Sequence, residues 1–394
     1  MGGVFSLGLF RAVPLVAFLL AGCAGGPDLS GDQYPSDIAR TGTLTAVTTR
    51  KPVGDGRVSP WFGPERGNPH IAEVRFDSPY KAGRFSTQAI GISDWKIQSV
   101  QQVASIAAAQ PLDGGSQRDV LMYVHGFNES FADATLDAAR LSDALHFRGN
   151  TVVFSWPSRN SVLDYMADRE SAMWSRDALE DALDDLLTTP GVGRVNIVAH
   201  SMGGMVTVEA LRQVVAHNGG ATGKFGAIIF ASPDIDVDSF SASVRRLGDL
   251  NRRMTVITSK DDRALAISAS LAGGGRAGRV DKAKLEDLGI EVVDASGLSR
   301  GLIRHDLFLH DASVQKVIAQ AIRDAGSQVS TGAVSSYPAP AITPAVPVAA
   351  QPQVQYQPPP AQTQPAVQPQ QPMAQAQPPL QIPPPVEASP VPTQ

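Results

Sequence analysis

Cysteine is almost absent from this chain: Cys23 is the only one among 394 residues. An intramolecular disulfide framework is therefore excluded, and a metal site built on paired thiolates goes with it. Charge is sparse as well, at 18% of residues with a formal net charge of −5, and no run of basic residues gives the footprint that a nucleic-acid partner needs. No Gly-rich nucleotide loop and no paired-carboxylate or Cys/His cage is present, so neither cofactor nor metal is expected. No period long enough for a solenoid is seen. The remaining composition, 43% hydrophobic, is enough for one large α/β domain with appendages.

The appendages lie at the two ends. Residues 1–22 carry one basic residue, Arg11, followed by the apolar run 12–20, which is too short to span a bilayer comfortably and has the pattern of a secretory signal. It ends in Leu20-Ala21-Gly22-Cys23, which resembles a bacterial lipoprotein lipobox. That resemblance implies that Cys23 is lipidated and becomes the first residue of a protein anchored in the cell envelope. Ala24 rather than Asp after it points to the outer membrane. Each buried acyl methylene contributes about 0.8 kcal/mol, so two or more chains hold firmly. Residues 23–69, rich in Gly, Pro, Ser and Thr with little periodicity, read as a tether. Residues 327–394 are dominated by Pro, Gln, Ala and Val with Glu387 as their only charge. They lack the large apolar side chains a core requires, so a disordered spacer with polyproline II character is expected, or else a docking segment for an envelope partner.

Between the ends, residues 70–326 alternate short apolar runs with helical patterns. The runs 119–125, 151–156, 194–199, 226–231, 254–259 and 290–294 are β-branched-rich and nearly unbroken by polar residues, as parallel strands covered on both faces should be. Helices are expected over 130–146, 171–187 and 202–217, and edge strands over 71–76 and 88–92. Strand–helix alternation with short links predicts a doubly wound, mostly parallel sheet flanked by helices.

The run 194–199 leads straight into Ser201, and a helix pattern begins at once. This is the context of a nucleophile elbow, a tight turn that lifts a serine hydroxyl above the strand ends and aims a helix N-terminus at it. The residues two away on each side must be small, and Ala199 and Gly203 are. Ala199-His200-Ser201-Met202-Gly203-Gly204 is similar to the GHSMGG signature of the α/β-hydrolases, with Ala where Gly is commoner. Together with YVHGFN from Tyr123, FSWPS from Phe154, ASPDID from Ala231 and DDRAL from Asp261, it makes residues 119–313 resemble a bacterial, esterase- and lipase-like group of these hydrolases of unknown function.

The resemblance implies an α/β-hydrolase fold and a Ser–Asp–His triad with Ser201 as nucleophile. Two backbone donors would hold the oxyanion, each typically worth roughly 2.7–4 kcal/mol. One is Met202, after the nucleophile, and the HG-x match makes the other Phe127. The base follows Ser201 in this fold, which leaves His305 and, less favoured, His310 at the start of the final helix. His125 and His200 read as structural neighbours. The acid loop after 254–259 resembles the family's at Asp262, with Asp234 in ASPDID and Asp261 as rivals; Asp294 would orient the His305 loop. Residues 156–159 are expected to wall the pocket. The reaction implied is hydrolysis of a carboxylic ester of unknown identity through an acyl-serine; thioesters and amides need the same triad, and a non-enzymatic envelope scaffold on a hydrolase fold is the alternative.

Overall fold

The computed structural model describes residues 41–78, 95–109, 117–217, 222–272, 274–280, 282–297 and 305–327. Cys23, the expected strand over 88–92 and the Pro/Gln-rich segment lie outside them. Among the described residues nine strands form one sheet in the order β3-β2-β1-β5-β4-β6-β7-β8-β9. They are β1 (Thr41–Pro52), β2 (Phe62–Asp77), β3 (Lys96–Val103), β4 (Arg118–Val124), β5 (Asn150–Ser155), β6 (Val192–His200), β7 (Phe225–Ala231), β8 (Met254–Thr258) and β9 (Glu291–Asp294). From β1 to β9 every pairing is parallel; β2 and β3 close one edge antiparallel. This is an α/β-hydrolase fold: a mostly parallel sheet with helices on both faces.

The continuous apolar runs are explained by that double cover. Along β4, Val120, Met122 and Val124 enter one core while Leu121 and Tyr123 enter the other. The first core is completed by α3 (Tyr165–Trp174), α4 (Arg176–Thr188), α5 (Gly203–His217), α6 (Val237–Val244) and α8 (Lys282–Glu286). The second is completed by α2 (Phe131–Ala144), α9 (Leu307–His310) and α10 (Ala312–Ser327). The short α1 (Ile106–Ala109) follows β3, and α7 (Arg263–Ala272) follows β8. Ser130 caps α2 through a reciprocal capping box with Asp133, which stabilises such a terminus by about 1 kcal/mol. The helix expected over 171–187 is two helices broken at Ser175, whose hydroxyl turns back to the Ser171 carbonyl at 2.8 Å and meets Thr49 Oγ1 at 2.8 Å.

The tether reading of residues 23–69 is corrected from Thr41 onward. β1 lies in the interior of the sheet, between β2 and β5, and residues 44–50 are buried. Its Thr and Ala residues gave little hydrophobic signal, but Thr45–Thr48 pair in parallel register with Val152–Ser155, about a hundred positions further along. A pairing so distant leaves no mark on local composition.

β1 also carries Arg50, buried with 1% exposure. Its guanidinium donates to Ser155 Oγ at 2.9 Å, to the Ser158 carbonyl at 3.0 Å and to the Glu129 carbonyl at 2.6 Å. One side chain thus ties the loops after β4 and β5 together. Burial pushes this guanidinium down to about 10, partly offset by the Asp168 and Glu129 carboxylates, so it remains charged at neutral pH. Replacing it by the similarly long Met leaves buried carbonyls and carboxylates without their cation. We expect Arg50→Met to destabilise the protein by about 3–5 kcal/mol, read as a lower urea midpoint at unchanged slope.

Candidate active site

The site stands at the C-terminal ends of β4, β6 and β8. β6 ends at His200, and Ser201 turns the chain with φ of 51°, a left-handed conformation costly for a residue with a Cβ. The turn is held by its neighbours. The Ser201 N–H donates to the Ala231 carbonyl at 2.9 Å, and its own carbonyl accepts the Asp234 N–H at 3.1 Å. Gly203 is needed by contact: a Cβ there would lie 2.4 Å from the His125 carbonyl oxygen and 2.6 Å from that of Val124. α5 therefore starts directly behind the serine.

Three side chains remote in sequence meet here. His305 Nε2 is 2.6 Å from Ser201 Oγ, and His305 Nδ1 is 2.8 Å from Asp262 Oδ2. In the neutral tautomer this geometry requires, the Nδ1–H donates to the carboxylate and the free Nε2 accepts the serine O–H. Asp262 is wholly buried, and its other oxygen accepts the Leu265 N–H at 3.0 Å, so the carboxylate is held from both sides. Burial works to lower the His305 imidazole; the Asp262 charge and hydrogen bond, with Asp234 and Asp306 further off, outweigh it and hold His305 above its ordinary value.

The rivals are engaged elsewhere. Asp234 accepts from the Tyr165 hydroxyl at 2.8 Å and from Ser268 Oγ at 2.6 Å, and lies 3.1 Å from the buried Arg276. Burial and that carboxylate push the Tyr165 phenol up to about 12, so it stays a donor. Asp261, exposed, accepts the Gly297 N–H at 3.0 Å. His310 pairs with Asp306 at 3.3 Å across one helical turn. Asp294 accepts the Ser296 N–H within its own turn at 2.9 Å; the loop it was expected to orient, 298–304, lies outside the described residues.

The β4 loop closes the site from the other side. A Cβ on Gly126 would lie 3.1 Å from Ser201 Cβ and 2.8 Å from His200 Nδ1, so this loop lies directly against the elbow. Asn128 takes φ of 62° to complete the turn. Phe127 packs edge-on against Tyr165 at 5.4 Å, and Met202 is wholly buried behind the serine.

Beneath the loop sits a buried polar layer. His125 stacks on Trp156 at 4.6 Å, and its two ring nitrogens face the Gly126 and Trp156 carbonyls at 2.8 and 3.0 Å. Burial pushes His125 down to about 4, and a neutral ring donates to only one of these carbonyls at a time. Trp156 Nε1 donates to the His125 carbonyl at 2.8 Å. Residues 156–159 were expected to wall the pocket, and this is corrected for Trp156 and Ser158, which have no exposure and belong to the layer under the loop. An indole brings enough apolar area to fill a core, and its single N–H found a partner there. Glu129, 6% exposed, accepts the Gly126 N–H at 3.1 Å and lies 3.5 Å from His200 Nδ1. Burial works to raise its carboxyl, but the nearby His200 and His125 rings and the Gly126 N–H hold it below its ordinary range.

Glu129 and Arg50 escaped the sequence reading. Glu129 follows YVHGFN directly, and a carboxylate one residue past a Gly turn was the available signal; Arg50 had none, being outside the expected domain. Among the described residues no group of three or more His, Cys, Asp and Glu is placed to hold a metal ion, and no helix is long and apolar enough to cross a membrane.

Residues 104–323 match a family model described as alpha/beta hydrolase of unknown function (DUF900). An uncharacterized protein of Nostoc sp. strain PCC 7120 is 38% identical over 64 residues, 16% of this chain and 17% of that one, so the chain spans about a sixth of this relative's length. Among solved structures, an uncharacterized protein from Bacillus cereus ATCC 10987 is 16% identical with a TM-score of 0.37, covering 54% of this chain and 61% of its own. Est1E from Butyrivibrio proteoclasticus is 11% identical with a TM-score of 0.37, covering 66% and 96%. Likenesses at this level say nothing about chemistry.

The geometry around His305 yields a direct check. We expect its imidazole to titrate with a midpoint above the ordinary 6.5 in an NMR pH titration. Asp262→Asn removes the charge that favours the imidazolium, so the midpoint falls below the wild-type value.

Proposed function

The chain belongs to the DUF900 family of α/β hydrolases, and from that premise we propose that it is a serine hydrolase of carboxylic esters, working through an acyl-serine intermediate. The observation that carries this reading is the unbroken run of short contacts from Ser201 Oγ through His305 to Asp262.

In the proposed mechanism His305 Nε2 takes the Ser201 proton as Oγ attacks the ester carbonyl. The N–H groups of Phe127 and Met202 receive the negative charge that develops on the carbonyl oxygen. Asp262 keeps the imidazole in the tautomer that accepts this proton and stabilises the imidazolium that results. Collapse of the tetrahedral intermediate breaks the ester C–O bond, and His305 delivers the proton to the departing alkoxide. Water then attacks the acyl-serine, again giving its proton to His305, and the acid leaves as Ser201 recovers its hydrogen. The left-handed turn at Ser201 supports this reading, since it presents the hydroxyl beyond the strand ends in place of packing it along the sheet.

Cys23 we propose as the lipidated first residue of the mature protein, holding the hydrolase in the cell envelope, with the outer membrane as its location and acylated molecules nearby as substrates. The Pro/Gln-rich segment is then a spacer or a docking segment for an envelope partner.

A fluorophosphonate probe should label the wild-type protein at Ser201 and leave Ser201→Ala unlabelled; absence of label on the wild type rejects the hydrolase reading in favour of a scaffold. On p-nitrophenyl esters of increasing acyl length, Asp262→Asn should cost roughly ten-thousandfold in turnover, while Asp261→Asn stays near wild type. Because only neutral His305 accepts the proton, kcat/KM should fall as pH drops through its midpoint, placed above 6.5 by the Asp262 partnership. Cys23→Ser should abolish metabolic labelling with an alkynyl fatty acid and release the protein from the membrane pellet; retention of either would disprove the anchor.

A further inference from the structure

The two halves of the site come from chain segments far apart. The oxyanion loop follows β4, while His305 follows β9 in the chain. A buried chain of polar contacts that takes no part in proton transfer joins them. It begins at the Gly126 N–H, which donates to Glu129 Oε1 at 3.1 Å. The same oxygen lies 3.5 Å from His200 Nδ1. The opposite nitrogen of that ring, Nε2, lies 3.1 Å from the backbone carbonyl of His305 and donates to it. Glu129 and His200 are 6% and 7% exposed, so water does not compete for these contacts.

Each end of the chain is fixed independently. The Glu129 backbone carbonyl accepts from Arg50 at 2.6 Å, which pins the residue to the sheet. The His200 ring packs on Phe308 at 4.7 Å and on the His305 ring at 4.8 Å. Gly126 has no side chain where the His200 ring approaches, and a Cβ there would meet Nδ1 at 2.8 Å. With Nε2–H committed to the His305 carbonyl, Nδ1 faces a carboxylate.

We propose that Glu129 and His200 are positioning residues, a buried brace that sets the oxyanion loop at a fixed distance from the base. This rests on the hydrolase reading of the same site. The oxyanion donors and the imidazole must be placed together within a fraction of an ångström, and a displacement of about 1 Å costs on the order of a hundredfold in rate. Both residues of the brace are buried beneath the loop, so its loss should lower turnover and leave KM nearly unchanged.

The test uses the full chain with Glu129→Gln, His200→Phe and the double variant, all close to the native volumes. Each single variant should lower kcat about tenfold or more with KM within about twofold. The double variant should be no worse than the poorer single, because both break one chain. Losses that multiply in the double variant, losses confined to KM, or wild-type kcat in either single would overturn the brace. A second readout needs no turnover. Glu129→Gln should shift the NMR resonances of the His305 ring, to which Glu129 is joined through His200; unmoved His305 resonances reject the brace even in an active enzyme. A wild type that neither hydrolyses esters nor takes the fluorophosphonate rejects the hydrolase reading instead, and the NMR shift then decides the brace alone.

Discussion

The left-handed backbone at Ser201 is the constraint around which the rest of the site is arranged. A side chain at φ of 51° stores strain on the order of 1–3 kcal/mol, so it persists only where surrounding contacts leave no alternative. Here they are numerous. Ser201 is bonded through its N–H to β7 and through its carbonyl to Asp234. Gly203 lets α5 approach the carbonyls of Val124 and His125 more closely than any side chain would permit. Gly126 brings the β4 loop against the serine from the opposite direction. Strain at one residue is thus offset by contacts among three neighbouring strands and one helix.

A second cost comes from the polar groups placed under the site. Arg50, His125, Glu129, Asp168 and His200 are all buried, and an isolated buried charge is expensive. The layer is tolerable because most of its polar atoms partner each other or the backbone. Arg50 supplies the cation that offsets the Asp168 and Glu129 carboxylates, and Asp168 takes the Ser158 hydroxyl and the Arg159 N–H. Hydrogen bonds in such a setting are directional, unlike apolar packing. A loop resting on this layer is held in one conformation, which a purely apolar core would not supply.

Much of the architecture was legible in the chain because the physics that builds it is local. Both faces of a parallel strand are covered, so β4 to β8 read as unbroken β-branched runs. The elbow was legible because its turn demands small residues at fixed spacing, and Ala199 and Gly203 sit there. β1 was missed because Thr-rich strands carry little hydrophobic contrast and its partner β5 lies far along the chain. Trp156 was misassigned for a related reason. Its position after a strand end placed it near the pocket, and only packing against His125 decided on which side of the loop it lay.

For the candidate site the division is similar. Residue types, chain order and loop position singled out Ser201, His305 and Asp262, but Asp234 and Asp261 satisfied the same local criteria. What separates them is distance: one carboxylate lies 2.8 Å from His305, and the others hold Tyr165 and Gly297. The sequence by itself therefore determined the strand–helix alternation, the elbow and a short roster of candidate acids and bases, because periodicity and turn sterics act over a few neighbouring residues. Tertiary structure alone decided which carboxylate meets His305, where Arg50 and Glu129 go, and how the loop after β4 is held. Those outcomes depend on which distant segments share a dry interior, where each buried polar group must find a partner within about 3 Å.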